Sequence, residues 1–189
     1  MGGATEDTVG GGPIMRIAAI GFMFFVSVAF GLSVGVWEKA FGSGDFAGAA
    51  RRLDGVEKAL ALILAGRTDK AMRLLEGRSD VVSLRLFGYA ACCEGRWSRA
   101  LDAAKELLER NGDDIEAQAI YAEALLGLGD KVRAQAVLEK LPAQMSAYVR
   151  LRVALRFGEA EEARSAACEL EKLTGCAEWR RIATLPGKK

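Results

Sequence analysis

Four segments between successive helical patterns share a glycine followed five residues later by an alanine. The segments are GRTDKA (Gly66, Ala71), GRWSRA (Gly95, Ala100), GDKVRA (Gly129, Ala134) and GEAEEA (Gly158, Ala163), and their glycines are spaced by 29, 34 and 29 residues. Each stands between two stretches of helical apolar periodicity, in a region rich in Leu, Ala, Glu, Lys and Arg, which are strong helix formers. A glycine closing a helix takes the left-handed conformation without steric cost. An alanine early in the next helix marks a position where only a methyl group fits against a neighbour. The pattern predicts about four helix–turn–helix hairpins and an all-α chain. No strand alternation interrupts it, and Pro142 and Pro186 are the only prolines of the region.

These hairpins resemble tetratricopeptide repeats, helix–turn–helix units of about 34 residues. The best copy runs from Val81 to Asp114, with Leu84, Phe87 and Gly88 in its first helix, Gly95, Trp97 and Ala100 at the turn and second helix, and Leu107 and Leu108 after them. The next copy supplies Tyr121, Ala122, Leu125, Gly129, Ala134, Leu138 and Leu141, then Pro142. The first copy is short in its second helix, ending near Gly77, and the fourth carries Arg150 where an apolar residue is expected. The resemblance covers about Arg51 to Gly175. It implies a solenoid closed by a capping helix from Cys176 to about Leu185, since the end of such a stack must hide its core face.

Upstream lies a second constraint. Ile17 to Trp37 holds no charged residue, with Arg16 before it and Glu38 and Lys39 after it. About 20 apolar residues in a helix span a bilayer core, and the run exceeds the 7–15 residues of a cleaved signal core. The expected organisation is a disordered tail over 1–13, a transmembrane helix over 14–37, a flexible glycine-rich linker over 38–50, a repeat domain over 51–185 and a tail over 186–189. N-myristoylation is excluded because position 6 is Glu. Ser27, Gly31 and Gly35 fall on one helix face and form a candidate helix-docking face. Arg16 beside the apolar run reads as a signal anchor with its N-terminus inside. The expected location is a bacterial inner membrane, single-pass, with a periplasmic soluble domain.

Charge and residue types narrow the function. Twenty-six basic and 25 acidic residues leave no basic surplus for nucleic acid. Without histidine, Ser-His and Cys-His nucleophile pairs and imidazole metal or haem ligands are absent. Cys92, Cys93, Cys168 and Cys176 contain no C-x-x-C pair. Cys92 and Cys93 read as small buried thiols on a helix. A Cys168–Cys176 disulfide would suit an oxidising compartment, but Cys168 lies well inside a helix and disulfide geometry is strict, so the bond stays open. Asp113 and Asp114 read as helix-capping residues in an inter-repeat turn. No catalytic residue, metal ligand or cofactor is expected, and the chain reads as a non-enzyme.

In tetratricopeptide arrays the first helices line a concave groove. By that register, the resemblance places Arg85, Tyr89 and Cys92 in the groove from the second hairpin. The third contributes Glu116, Ala119, Glu123 and Leu126, and the fourth Tyr148, Arg152 and Leu155. Such a mixed surface suits an extended peptide or partner helix. The expectation is a membrane-tethered protein–protein interaction module, an accessory or assembly factor of a membrane complex. Its partners would be an integral membrane complex, peptide segments of client proteins, or both. The layout is similar to that of the ancillary translocon subunit family of bacterial inner membranes. The alternative is a stoichiometric structural subunit of a secretion, pilus, respiratory or photosynthetic complex, docked through its membrane helix.

Overall fold

A computed structural model describes residues 39–40 and 42–183. The apolar run Ile17–Trp37, the glycine-rich tail before it, the docking face of Ser27, Gly31 and Gly35, and the tail 186–189 lie outside the described residues. Among the described residues no helix is long and apolar enough to cross a membrane, and there is no strand.

The described residues divide into two compact units, one ending at Leu75 and the other beginning at Glu76. In the first, helix α1 (Phe46–Ala50) packs on α2 (Gly55–Leu64), and α2 on α3 (Thr68–Leu75). The flexible link expected over 38–50 is corrected here, because Phe46–Ala50 is helical with Phe46, Ala49 and Ala50 buried. Asp45 is the cause. Its carboxylate accepts a hydrogen bond from the Gly48 N–H at 2.7 Å, capping the helix start. A Cβ on Gly48 would stand 1.9 Å from Asp45 Oδ2, so Gly48 makes room for the cap. Helix α2 then buries Ala59 to Leu64 without a break.

The second unit holds three hairpins and a last helix: α4 (Val81–Glu94) with α5 (Trp97–Arg110), α6 (Ile115–Gly127) with α7 (Lys131–Leu138), α8 (Ala143–Phe157) with α9 (Ala160–Thr174), and α10 (Glu178–Ala183). Helix α6 packs on both α4 and α8, so the first helices of successive hairpins lie side by side, and α10 packs on α9. Aspartates cap three of the helix starts. Asp80 accepts from the Ser83 N–H, Asp114 from the Glu116 and Ala117 N–H groups, and Asp130 from the Arg133 N–H.

The glycine–alanine pattern has a direct structural counterpart. Gly66, Gly95, Gly129 and Gly158 all have positive φ, between 71° and 83°, where a side chain would be strained. Ala71, Ala100, Ala134 and Ala163 are all buried. Arg150, out of place as an apolar residue, reaches from α8 to α9 and pairs with Glu162 at 3.0 Å and with Glu169. An ion-pair clasp there replaces a hydrophobic contact.

One packing relationship breaks the regularity. Helix α5 lies along α6, the first helix of the next hairpin, whereas no comparable packing joins α7 to α8. Helix α7 has 8 residues against 14 in α5 and 15 in α9. Its C-terminal end is anchored by Leu138 and Leu141, which cluster with Ala119, Ala122 and Val149. Its side towards α8, with Lys131 and Gln135, borders open space, while Ala134 is buried.

Candidate interaction surfaces: a closed polar core and an open cleft

The residues assigned by register to the groove do converge, but half of them are buried and the rest half-buried. Arg152 on α8 is the centre. Its guanidinium lies 3.1 Å from Glu123 Oε1 on α6 and donates to Cys93 Sγ on α4 at 3.2 Å. The same group sits 4.3 Å from the centroid of the Tyr89 ring and 5.7 Å from that of Tyr148, within cation–π range. Tyr89, Cys92 and Glu123 are buried. Arg156, one turn further on α8, donates to the Cys93 carbonyl at 2.7 Å and lies over the Trp97 ring at 5.1 Å. Trp97 stacks on Phe157 with centroids 6.2 Å apart, and Gly127 beside it has no space for a side chain, since a Cβ would stand 2.2 Å from the indole.

Arg152, Arg156 and Phe157 of the fourth hairpin therefore contact Tyr89, Cys93 and Trp97 of the second, passing over the third. Long side chains close what an open groove would leave free. The electrostatics follow from burial. It pushes the Glu123 carboxyl above its usual value, opposed by Arg152 and Arg156, and raises the Cys93 thiol, opposed by Arg152. Burial likewise pushes the Tyr148 phenol up to about 12, with Arg152 again opposing. The thiol is thereby kept in its protonated, weakly nucleophilic form.

The other predicted groove residues also make contacts within the fold. Arg85 ties α4 to α6, its Nη2 lying 2.6 Å from Asp114 and its Nε 2.6 Å from Glu116. Burial raises the Glu116 carboxyl, with Arg85 lowering it in opposition. Ala119 and Leu126 belong to the cluster around Leu138 and Val149. Leu155 and Tyr148 pack against the α8–α9 core with Trp179, whose ring meets Tyr148 edge-on at 6.3 Å. Cys168 is partly exposed and Cys176 exposed, and all four cysteines are free. Among the described residues no group of three or more His, Cys, Asp or Glu is placed to hold a metal ion.

The register did not point to a cleft of about 830 Å³ between the third and fourth hairpins. Leu138 on the α7 wall, Val153, Ala154 and Phe157 on the α8 wall, and Leu126 and Gly127 at the end of α6 line it. Its rim carries Lys131 and Gln135 on α7, and Glu159, Glu161 and Glu162 at the start of α9. The brevity of α7 was visible in the sequence, where only eleven residues separate Gly129 from Leu141. Its separation from α8 was not.

Comparison with known proteins agrees with this architecture over its centre. Residues 94–152 match the tetratricopeptide repeat family, a stretch running from the end of α4 through α5, α6 and α7 into α8. The region is tetratricopeptide-like, an all-helical hairpin array of the kind that serves as a protein–protein interaction module. No curated protein and no solved structure matches the chain.

Proposed function

We propose that this protein is a membrane-tethered protein–protein interaction module, acting as an accessory or assembly factor of a membrane protein complex. The interaction role rests on one observation: the tetratricopeptide match over residues 94–152 falls within the stacked hairpins of residues 81–174. Such a stack offers a long, rigid, side-chain-varied surface. The tether rests on the uncharged run Ile17–Trp37, long enough for a bilayer core. In this reading the span sits in an inner membrane and the repeats face the periplasm. Anchoring module and partner to one membrane raises their effective concentration, so a weak contact suffices.

Gentle detergent extraction of the tagged full chain, followed by mass spectrometry of what accompanies it, tests the reading. Integral proteins should co-purify in reproducible amounts, and the chain itself should resist alkaline extraction from membranes. Release of the chain by alkali, or recovery without any membrane protein, would overturn the proposal. A fixed ratio to one set of integral proteins would mark a built-in subunit instead.

A further inference from the structure

The cleft between α7 and α8 lies in the place that a helix fills one repeat earlier. Helix α5 covers the corresponding side of α6. On α8 the row Arg150, Val153, Ala154 and Phe157, spaced three, four and seven residues apart on one face, lines the cleft, with Val153 and Ala154 forming its closely packed floor and Phe157 its exposed end. Phe157 is stacked on Trp97 and yet 53 % exposed, an unusual position for a phenylalanine in water. The opposite wall repeats the helical spacing with Lys131, Gln135 and Leu138. A volume of about 830 Å³ falls in the range of true binding sites.

Charge decides what could enter. The α9 rim carries Glu159, Glu161 and Glu162. Arg150 is shared between Glu162 and Glu169, and Arg164 pairs with Glu161. Around the cleft the three carboxylates of Glu159, Glu161 and Glu162 therefore face two cations, Lys131 and Arg150, and Glu159 makes no ion pair among the described residues. Burying these carboxylates beneath an acidic or neutral partner would cost free energy, whereas a basic one would neutralise them.

From this we infer that the α7–α8 cleft is the docking site for an amphipathic basic helix of a partner protein. Two apolar side chains of that helix would lie against Val153, Ala154 and Phe157, and a Lys or Arg would meet Glu159 and Glu161. The inference rests on the interaction-module reading and gives it a site and a ligand class. A helix of about 10 residues, roughly 15 Å long, suits the short α7 wall.

The test uses the full chain in detergent and two fluorescent 14-residue helical peptides. Both carry Leu at positions i, i+3, i+4 and i+7, one with Lys and the other with Glu on the flanking positions. Anisotropy should show the Lys peptide binding and the Glu peptide at least tenfold weaker. Phe157→Ala should weaken the Lys peptide about five- to tenfold, as loss of an apolar anchor does. The paired change Glu159→Lys with Glu161→Lys, on exposed positions, should invert the preference. Equal binding of both peptides, no binding, or indifference to both variants would overturn the inference. So would concentration-dependent self-association abolished by Phe157→Ala, which would make the occupant a second copy. Co-purifying membrane proteins retained by both variants would sink the cleft alone, whereas their absence from the unaltered chain would sink the module reading itself.

Discussion

A methyl group on Gly127 would meet the Trp97 ring at 2.2 Å, while one on Gly112 would find its nearest neighbour at 3.9 Å. Gly127→Ala should therefore destabilise the fold by about 1–3 kcal/mol, the usual cost of overpacking, and Gly112→Ala should be near neutral. Urea unfolding of the two variants checks this, and equal midpoints would refute the packing argument. The Glu123–Arg152 pair offers a second comparison. Because burial outweighs Arg152 and Arg156 at this carboxyl, Glu123→Gln, which resembles the protonated acid, should cost less than the about 3–5 kcal/mol usual for breaking a buried pair. With Arg152→Met added, the loss should be smaller than the sum of the single changes. The sign of the pH effect follows from the raised Glu123 carboxyl. A carboxyl that holds its proton more tightly when folded adds stability below its unfolded value, near 4.5, and that contribution fades as pH rises through the higher folded value. Melting midpoints from pH 4.5 upward should show this decline in the unaltered protein and lack it in Glu123→Gln. Register located Tyr89, Glu123, Tyr148 and Arg152 on facing helices. It could not show that Arg152 is long enough to close the space between them, because reach across a fold depends on curvature rather than periodicity.

Among the elements, the Gly–Ala hairpins were legible because both residues answer local demands, a left-handed turn and a close helix crossing. Helix α1 was not legible, because GSGDFAGAA carries the composition of a linker and only the Asp45–Gly48 bond turns it into a helix start. Asp45→Ala should remove about 1 kcal/mol of helix stability and speed amide exchange at Gly48 and Ala49. Unchanged exchange there would show that packing, not the cap, holds the turn. Arg150→Leu tests the clasp between α8 and α9. It restores the residue type expected at that position but leaves Glu162 and Glu169 facing each other. The exchange should lower the melting midpoint, and adding Glu162→Gln with Glu169→Gln should recover part of the loss.

For the whole molecule, the sequence alone speaks for the membrane. Gly31→Ile with Gly35→Ile should release the chain from integral partners if the small-residue face docks laterally, and retained co-purification would discard that face. Orientation is open to a chemical readout because Cys176 is exposed. A membrane-impermeant maleimide should label it in intact spheroplasts, and labelling only after lysis would place the repeats on the cytoplasmic side. The contacts of Arg152 and Arg156 with the second hairpin carry a consequence for how this array comes apart. Repeat arrays ordinarily unfold as a row of units coupled only to their nearest neighbours, so the ends fray first. Here the fourth hairpin holds the second directly, 59 and 63 residues away in sequence. Loss of the fourth hairpin would strip Glu123 of its counterion and open Tyr89 and Trp97 to water in one step. This array should resist shortening by one repeat, and its three hairpins should melt as a single cooperative block.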